Sequence, residues 1–229
     1  MRILLLGHGR MGTLIERLAP EYGCEIAGVL TRANNAGGGG LTPEIAARAD
    51  VAIDFTTAPV FVANFPRVAG LGLNVVVGTT GWQPEEARLQ DVARQANIGV
   101  VAASNFSPGV ALFQAMVERA AALLAHRQDF DAWIHEAHHA AKRDAPSGTA
   151  LTLRAAMTSA GYARPIDVSS TRAGSIPGTH TVGFDAPSET ITLMHTTRDR
   201  ATFARGALEA ARWLQGRRGW FTIRDVIGV

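Results

Sequence analysis

The sequence predicts an α/β protein in which a doubly wound parallel sheet is followed by a second, smaller α+β domain. Apolar runs rich in Val, Ile and Leu recur through the first hundred residues, and segments with helical spacing separate them. Strands without polar alternation are typical of parallel sheets that are covered on both faces. The pattern changes near Asn105, where a long helical stretch is followed by several strand-like runs.

The first block contains short apolar strands with amphipathic helices between them. Repeated strand–helix units of this kind form a parallel sheet with right-handed crossovers. The predicted strands are Ile3–Leu6, Ile26–Leu30, Val51–Phe55, Asn74–Val77 and Ile98–Ala102, and the predicted helices are Met11–Leu18, Val60–Ala69 and Pro84–Ala96.

The second block mixes helices with strands and favours a mixed or antiparallel sheet. Ser147 follows Pro146 and is a suitable N-cap for one of its helices. The segment Trp220–Val226 is expected to return to the first domain. The predicted helices are Pro108–Ala125, Ser147–Ala160 and Thr202–Leu214, and the predicted strands are Phe130–His135, Ile166–Thr171, His180–Asp185 and Glu189–Thr196.

Composition excludes several classes of protein. The 229 residues are 47% hydrophobic and 18% charged, with a net charge of +2, so an intrinsically disordered chain is excluded. No run of Lys and Arg exceeds two residues, which argues against nucleic-acid binding. The uncharged stretch Ile98–Val117 contains polar residues and a proline, so no membrane span is expected. Cys24 is the only cysteine, which is consistent with a cytoplasmic protein.

A glycine loop follows the first predicted strand and opens the first predicted helix. Its residues Gly7, His8, Gly9, Arg10, Met11 and Gly12 match the pattern G-x-G-x-x-G. Glycines let the backbone approach a pyrophosphate, and the N–H groups of the helix N-terminus face its charge. We therefore predict a dinucleotide site of the Rossmann type. The alternative is a tight turn that binds no ligand.

The end of the second predicted strand bears on the choice of cofactor. An acidic residue at this place usually binds the ribose hydroxyls of NADH, but here the strand ends at Thr31 and Arg32. A guanidinium can pair with a 2′-phosphate, so the sequence favours NADPH, with NADH possible. The alternative is that Arg32 is simply an exposed loop residue.

Residues 135–139 match the zinc motif H-E-x-x-H. A zinc protease needs this motif on a helix, so that both histidines share one face. The preceding residues favour a strand, and we therefore predict no metal site here.

The longer string from Glu136 to Ala150 favours another interpretation. It contains His138, His139 and Lys142, followed by a helix start at Ser147, Gly148 and Thr149. A proton donor, a cation and a second anion site would suit a small dicarboxylate substrate. Either histidine alone could be an ordinary core or surface residue.

These strings together resemble the dihydrodipicolinate reductase (4-hydroxy-tetrahydrodipicolinate reductase) family of bacterial lysine and diaminopimelate biosynthesis. The matching pieces occur in the family's order along nearly the whole chain. They are Gly9–Gly12, Asp54–Thr56, Val77–Gly81, Asn105–Ser107, Glu136–Ala150, Arg172–Gly174, Gly178–His180 and Arg200–Ala204.

The resemblance implies a Rossmann-type dinucleotide-binding domain formed by residues 1–104 and 200–229. Residues 105–199 would form the domain that binds the substrate and whose sheet makes a homotetramer. His138 would be the general acid or base and Lys142 a proton donor or carboxylate anchor. The resemblance also implies a substrate clamp and a lining for the cofactor. The clamp would consist of His139 and Ser147–Thr149, and the lining of Phe55, Thr56, Gly78, Thr79, Thr80, Ala103, Ser104, Asn105 and Phe106.

The implied reaction is NAD(P)H-dependent reduction of 4-hydroxy-tetrahydrodipicolinate to tetrahydrodipicolinate. Two alternatives share the glycine loop. One is another two-domain nicotinamide enzyme, such as an amino-acid dehydrogenase, and the other is a nucleotide-sensing protein without turnover. Neither alternative requires the histidines, the lysine and the Ser-Gly-Thr helix start of residues 138–149.

Overall fold

The computed structural model describes residues 1–229 and divides the chain into two compact units. The first unit comprises Met1–Pro108 and Arg200–Gly228, and the second comprises Gly109–Asp199 together with Val229. The strands are β1 (Arg2–Leu6), β2 (Glu25–Leu30), β3 (Val51–Asp54), β4 (Asn74–Val77), β5 (Gly99–Ala102), β6 (Asp131–His138), β7 (Ile166–Arg172), β8 (Thr179–Ala186), β9 (Glu189–Thr196) and β10 (Gly219–Phe221). The α-helices are α1 (Arg10–Leu18), α2 (Pro43–Ala46), α3 (Ala58–Gly70), α4 (Glu86–Gln95), α5 (Pro108–Leu124), α6 (Gly148–Ser159), α7 (Ala201–Trp213) and α8 (Ile223–Ile227).

The first unit contains a six-stranded parallel sheet in the order β10-β5-β4-β3-β1-β2. The chain leaves β1 for β2 and then crosses back to β3, so the strand order reverses beside β1. Ligands of doubly wound sheets bind outside the carboxyl ends of the strands at such a switch point. The sheet confirms the predicted fold class. The C-terminal segment also belongs to this unit, because β10 pairs with β5.

Continuous apolar runs form the sheet because both of its faces are covered. Residues 3–6 of β1 are at most 2% exposed, and β3 and β4 are buried along their whole lengths. The core extends to an aromatic cluster in which Trp82 packs against Phe61 and Trp220. No helix in the chain is both long enough and apolar enough to cross a membrane.

The second unit contains a mixed four-stranded sheet in the order β7-β6-β8-β9. Strand β6 runs parallel to β7 and antiparallel to β8, and β8 runs antiparallel to β9. One face carries Ile134 and Val182 in register, and they belong to a core shared with Phe113 of α5 and Leu153 of α6. Helices α5 and α6 therefore cover this face, as expected for an α+β unit.

Strand β6 ends at His138, three residues beyond its predicted end at His135. Glu136 and His138 are polar residues on the covered face of the strand, so the apolar pattern that predicts a strand does not extend to them. The structure buries Glu136 completely and supplies hydrogen-bond donors to its carboxylate. These donors are what allow the strand to continue.

Candidate active site

The glycine loop joins β1 to α1 at the switch point of the first sheet. Gly7 has φ +92°, and a Cβ atom there would lie 2.7 Å from the carbonyl oxygen of Phe55 at the end of β3. A Cβ at Gly12 would overlap the carbonyl oxygen of Gly7. Gly9 is the N-cap of α1, makes no side-chain capping bond and has open space where a Cβ would lie. The loop therefore packs tightly on the protein side and is open on the side where a pyrophosphate would approach.

A cavity of about 440 Å³ lies beside the glycine loop in the first unit. It contains Gly7, Arg32 and Thr56 of the predicted cofactor residues, and none of its lining residues is acidic. Its lining residues are Leu6, Gly7, Leu30–Arg32, Asn35–Gly38, Thr56, Thr57, Pro59, Val60, Ala63 and Asn64. The open loop and the cavity fit a dinucleotide. His8 points elsewhere, since its Nε2 lies 2.7 Å from Oε2 of Glu16 on α1.

Asp54, at the end of β3, links the segments predicted to lie near the nicotinamide. Its Oδ1 accepts hydrogen bonds from the N–H of Thr56 (2.9 Å) and from the hydroxyls of Thr56 and Thr79 (both 2.7 Å). Asp54 is 1% exposed, and burial raises the pKa of its carboxyl group. Trp82 in turn donates its indole N–H to the carbonyl of Thr79 (2.7 Å). The loops after β3 and β4 are thus held by one buried carboxyl group.

The other predicted nicotinamide residues lie at the same ends of β4 and β5. The rings of Phe55 and Phe106 are 6.2 Å apart, and a Cβ at Gly78 would overlap the ring of Phe55. The N–H of Ala103 donates to the carbonyl of Val77 (3.1 Å). Thr80 and Ser104 are exposed, and Asn105 accepts the N–H of Ser107 (2.8 Å).

In the second unit, the covered face of the sheet changes from apolar to polar near the end of β6. Glu136 and His138 are two residues apart and therefore lie on the same face as Ile134. His180 of β8 is in register with Glu136, and Arg172 of β7 is in register with His138. Three strands thus bring these four side chains together.

The Glu136 carboxylate is the centre of this cluster. Its Oε1 accepts from Arg172 Nη2 (2.6 Å) and from the N–H of Ser147 (3.1 Å), and its Oε2 accepts from Arg172 Nη1 (2.9 Å) and from His138 Nδ1. Burial would raise the pKa of Glu136, but hydrogen bonds from Arg172, Ser170, His138 and Ser147 lower it to about 2. The carboxylate is therefore ionised at neutral pH.

Both histidines of the cluster are neutral at pH 7. Burial lowers the pKa of His138, although the Glu136 carboxylate opposes this shift. Burial and the neighbouring His138 lower the pKa of His180 to about 4. The rings lie 5.1 Å apart, and His180 Nε2 is 2.9 Å from the hydroxyl of Ser147.

Lys142 and the N-terminus of α6 come after β6 in the chain. Ser147 caps α6 as predicted, since its hydroxyl accepts the N–H of Ala150 (3.2 Å). Lys142 Nζ lies 2.7 and 2.8 Å from the two carboxylate oxygens of Asp144. Hydrogen bonding from Lys142 lowers the pKa of Asp144, and the N–H of Gly148 contributes in the same direction. Asp144 thus places a carboxylate against both the cation and the helix start.

The strand also separates the residues of the H-E-x-x-H match. His135 lies on the opposite face of β6 from Glu136 and His138, with its Nε2 3.0 Å from the hydroxyl of Thr171. His139 follows the end of the strand, and its carbonyl accepts the N–H of Lys142 (3.1 Å). The motif therefore lies on a strand, as the sequence predicts.

A different trio, Glu136, His138 and His180, has potential metal-ligand atoms within 4.8 Å of one another. Each of these side chains already has a hydrogen-bond partner in the protein, and Arg172 places a positive charge on the carboxylate. A guanidinium so close to the ligand atoms disfavours a divalent cation. The donor set does not fit a resident metal.

The sequence alone indicates no separate role for Arg172, His180 or Asp144. Arg172 and His180 appeared only inside matched strings, and Asp144 lay inside the string that contains Lys142. One signal was available for Arg172, because it directly follows a predicted strand and could pair with a buried acid.

The parallel sheet, the glycine loop and the cavity define the class of protein, a dinucleotide-binding protein of the Rossmann type. Comparison with known families then identifies the family within this class. Residues 1–106 match the model "Dihydrodipicolinate reductase, N-terminus", and residues 109–227 match "Dihydrodipicolinate reductase, C-terminus". The chain belongs to the dihydrodipicolinate reductase family.

Curated relatives support the same family. The 4-hydroxy-tetrahydrodipicolinate reductase of Acidiphilium cryptum is 38% identical over 242 residues, covering 96% of this chain and 94% of the relative. That of Methanocorpusculum labreanum is 38% identical over 256 residues and covers both chains completely. That of Xanthomonas euvesicatoria pv. vesicatoria is 47% identical over 180 residues, 78% of this chain and 73% of the relative.

Solved structures share the fold. A dipicolinate-bound dihydrodipicolinate reductase from Paenisporosarcina sp. TG-14 has a TM-score of 0.82 at 20% identity and covers 97% of each chain. An amine dehydrogenase from Mycobacterium smegmatis has a TM-score of 0.58 at 14% identity, covering 97% of this chain and 95% of its own. The fold of this chain is therefore also found in an amine dehydrogenase.

Proposed function

We propose that this protein reduces 4-hydroxy-tetrahydrodipicolinate to tetrahydrodipicolinate with NADPH, in the cytoplasm, as a step of lysine and diaminopimelate biosynthesis. Residues 1–104 and 200–229 would bind the dinucleotide, and residues 105–199 the substrate. One observation carries the proposal: Glu136 accepts from His138 and from the start of α6, and its partner Arg172 also donates to the backbone carbonyl of Asp144, whose side chain pairs with Lys142. Proton donor, cation and helix start are the groups that a dicarboxylate substrate needs.

Lys142 and residues 147–149 would bind the two carboxylates of the substrate. An ammonium group pairs with one carboxylate, and the N–H groups and dipole of a helix start attract the other. In this structure the ammonium group of Lys142 is paired with the carboxylate of Asp144. A substrate carboxylate would therefore have to share or replace this contact, with His139 beside it completing the clamp.

His138 would supply the proton that accompanies reduction. Loss of the 4-hydroxyl group as water would give the conjugated imine. Bound NADPH would then supply a hydride to its C4, and C3 would take up a proton. The neutral His138 must first take up a proton at Nε2, since its Nδ1 faces an ionised carboxylate. A positioned acid of this kind accelerates a reaction by about 10²–10⁴.

The direct test is consumption of NADPH with substrate made freshly from pyruvate and aspartate semialdehyde. We expect oxidation of NADPH with this substrate and none with keto acids plus ammonia. The opposite preference would favour an amino-acid dehydrogenase. Binding of NADPH without oxidation in either mixture would favour a nucleotide-sensing protein.

The two anion sites can be tested with planar inhibitors. Pyridine-2,6-dicarboxylate should compete with the substrate, whereas pyridine-2-carboxylate should bind more weakly because one site stays empty. Equal inhibition by both compounds would contradict the two-site arrangement.

Arg32 supports the preference for NADPH. It lines the cavity beside the glycine loop, and no acidic residue in that lining would repel a 2′-phosphate. Arg32→Ala should raise the KM for NADPH and leave the KM for NADH little changed. Arg48→Ala, an exposed arginine of the first unit outside the cavity, is the matched control. Equal effects of Arg32→Ala on both cofactors would show that Arg32 does not bind the 2′-phosphate.

We also propose that the second unit forms the homotetramer through the sheet face opposite α5 and α6. Met194 of β9 is 68% exposed on that face, in register with Thr181 of β8. Exposed apolar groups on an uncovered sheet are typical of association surfaces. Met194→Glu should lower the mass measured by light scattering, whereas Leu123→Glu on α5 should leave it unchanged. A monomeric wild-type protein would refute the assembly.

A further inference from the structure

We propose that Glu136 is a positioning residue that holds His138 in the tautomer whose free nitrogen, Nε2, exchanges the proton with the substrate. The inference rests on the proposed role of His138 and assigns a function to a carboxylate that does not itself need to contact the substrate. It explains why β6 carries a fully buried glutamate on the face of the sheet that the helices cover.

The hydrogen bonds determine which nitrogen of His138 carries the proton. An ionised carboxylate has no hydrogen to donate, so the contact between Glu136 Oε2 and His138 Nδ1 requires the hydrogen to be on Nδ1. The lone pair of the neutral ring is then on Nε2. A carboxylate that fixes the ring and tautomer of a histidine in this way is a common arrangement in catalytic sites.

Arg172 keeps Glu136 in the acceptor state. Its two terminal nitrogens contact both carboxylate oxygens, at 2.6 and 2.9 Å, in the bidentate geometry that favours ionised carboxylates. The N–H of Ser147 is the fourth donor, at 3.1 Å. The same carboxylate therefore joins His138 to the start of α6, so the proton donor and the proposed anion site share one anchor.

Several charged or titratable groups lie around His138 besides Glu136. Arg172 lies on β7, His180 on β8, and Lys142, paired with Asp144, lies in the segment before α6. The positive groups disfavour protonation of His138, and Glu136 is the group that favours it. Removal of the negative charge should therefore lower the pKa of His138 and move the pH dependence of kcat to lower pH.

The test is Glu136→Gln, with Glu189→Gln as a matched control at an exposed position of the same unit. The glutamine oxygen can still accept from Arg172 and Ser147, while its amide group faces His138 as a donor. Two-bond ¹H–¹⁵N NMR spectra, with the His138 signals assigned by their loss in His138→Gln, report the tautomer. We expect Nδ1–H in the wild type and loss of that tautomer in Glu136→Gln.

The kinetic expectation for Glu136→Gln is a fall in kcat of about 10- to 100-fold. Affinity for pyridine-2,6-dicarboxylate should change much less, because the helix start keeps its acceptor. A structural role alone would move neither the tautomer nor the pH profile. An Nε2–H tautomer in the wild type would overturn the proposal, even if the variant does not fold. An Nδ1–H tautomer in a protein that does not reduce the substrate would support the positioning and refute the proposed reaction.

Discussion

Asp54→Ala should destabilise the first unit and weaken cofactor binding together. Asp54 ends β3, and its Oδ1 accepts three hydrogen bonds from Thr56 and Thr79. Alanine removes the acceptor without removing the donors. The loops after β3 and β4 would then lose the group that holds them in the arrangement proposed to contact the nicotinamide.

The expected loss of stability follows from the burial of the donors. Thr79 is 4% exposed, so its hydroxyl would lose its partner without access to water, whereas Thr56 is only half-buried. A buried group left without a partner costs about 1–3 kcal/mol. One fully buried donor and two partly accessible ones give an expected loss of about 2–4 kcal/mol. Asp54→Asn should cost less, since it keeps Oδ1 and adds an amide group where Oδ2 has no partner.

The assay is urea unfolding followed by tryptophan fluorescence, since Trp82 bonds to the carbonyl of Thr79. Asp50→Ala is the control at the other end of β3, where the carboxylate pairs with Arg2 in an exposed ion pair worth about 1 kcal/mol or less. Asp54→Ala should also raise the KM for NADPH. An Asp54→Ala protein no less stable than Asp50→Ala would refute the reasoning.

Three further predictions concern the second unit. His138→Gln should lower kcat by about 10²-fold with little change in KM, whereas Lys142→Ala should raise KM and lower kcat together; a reversed pattern in steady-state kinetics would exchange their roles. His135→Ala and addition of EDTA should both leave activity intact. Activity that is lost to EDTA and restored by zinc would instead support a zinc site at the H-E-x-x-H match. Burial lowers the pKa of His180 from 6.5 in the unfolded chain to about 4 in the folded protein. Protonation of His180 therefore opposes folding below pH 6.5, and the free energy of unfolding should fall between pH 6.5 and 4. The loss is about 3 kcal/mol, and acid unfolding of His180→Gln should show a flatter pH dependence.

The strands and helices of the first unit could be predicted because local patterns determine them. A buried parallel strand needs a continuous apolar run, and residues 3–6 and 74–77 provide one. The glycine loop could also be predicted, since its spacing reflects contacts within one strand–turn–helix unit. Gly7 also packs against the end of β3, however, and this contact depends on the strand order, which local sequence does not determine.

The cluster around Glu136 could not be predicted from local patterns. Its partners Ser147 and Arg172 are 11 and 36 residues away, and His180 is in register with Glu136 from another strand. The predicted strand ends at His135 because Glu136 is polar and the neighbouring sequence does not show which groups would donate hydrogen bonds to its carboxylate. The tertiary fold supplies these donors, from Arg172 on β7 and from the N–H of Ser147 at the start of α6.

Gly206 gives a test of how closely a helix must approach the predicted cofactor segment. It lies within α7, and a Cβ atom there would overlap the carbonyl oxygen of Phe106 and lie 3.1 Å from Pro108. Gly206→Ala must therefore push the helix and this segment apart, at a cost of about 1–3 kcal/mol or more.

Gly70→Ala is the matched control for Gly206→Ala, because Gly70 also lies in a helix but has open space around its Cβ position. Helix propensity alone would make either substitution stabilising by up to about 1 kcal/mol. Urea unfolding should therefore give opposite signs for the two variants, and Gly206→Ala should also raise the KM for NADPH if Phe106 lines the nicotinamide. Stabilisation by both substitutions would mean that α7 and Phe106 do not need this close approach.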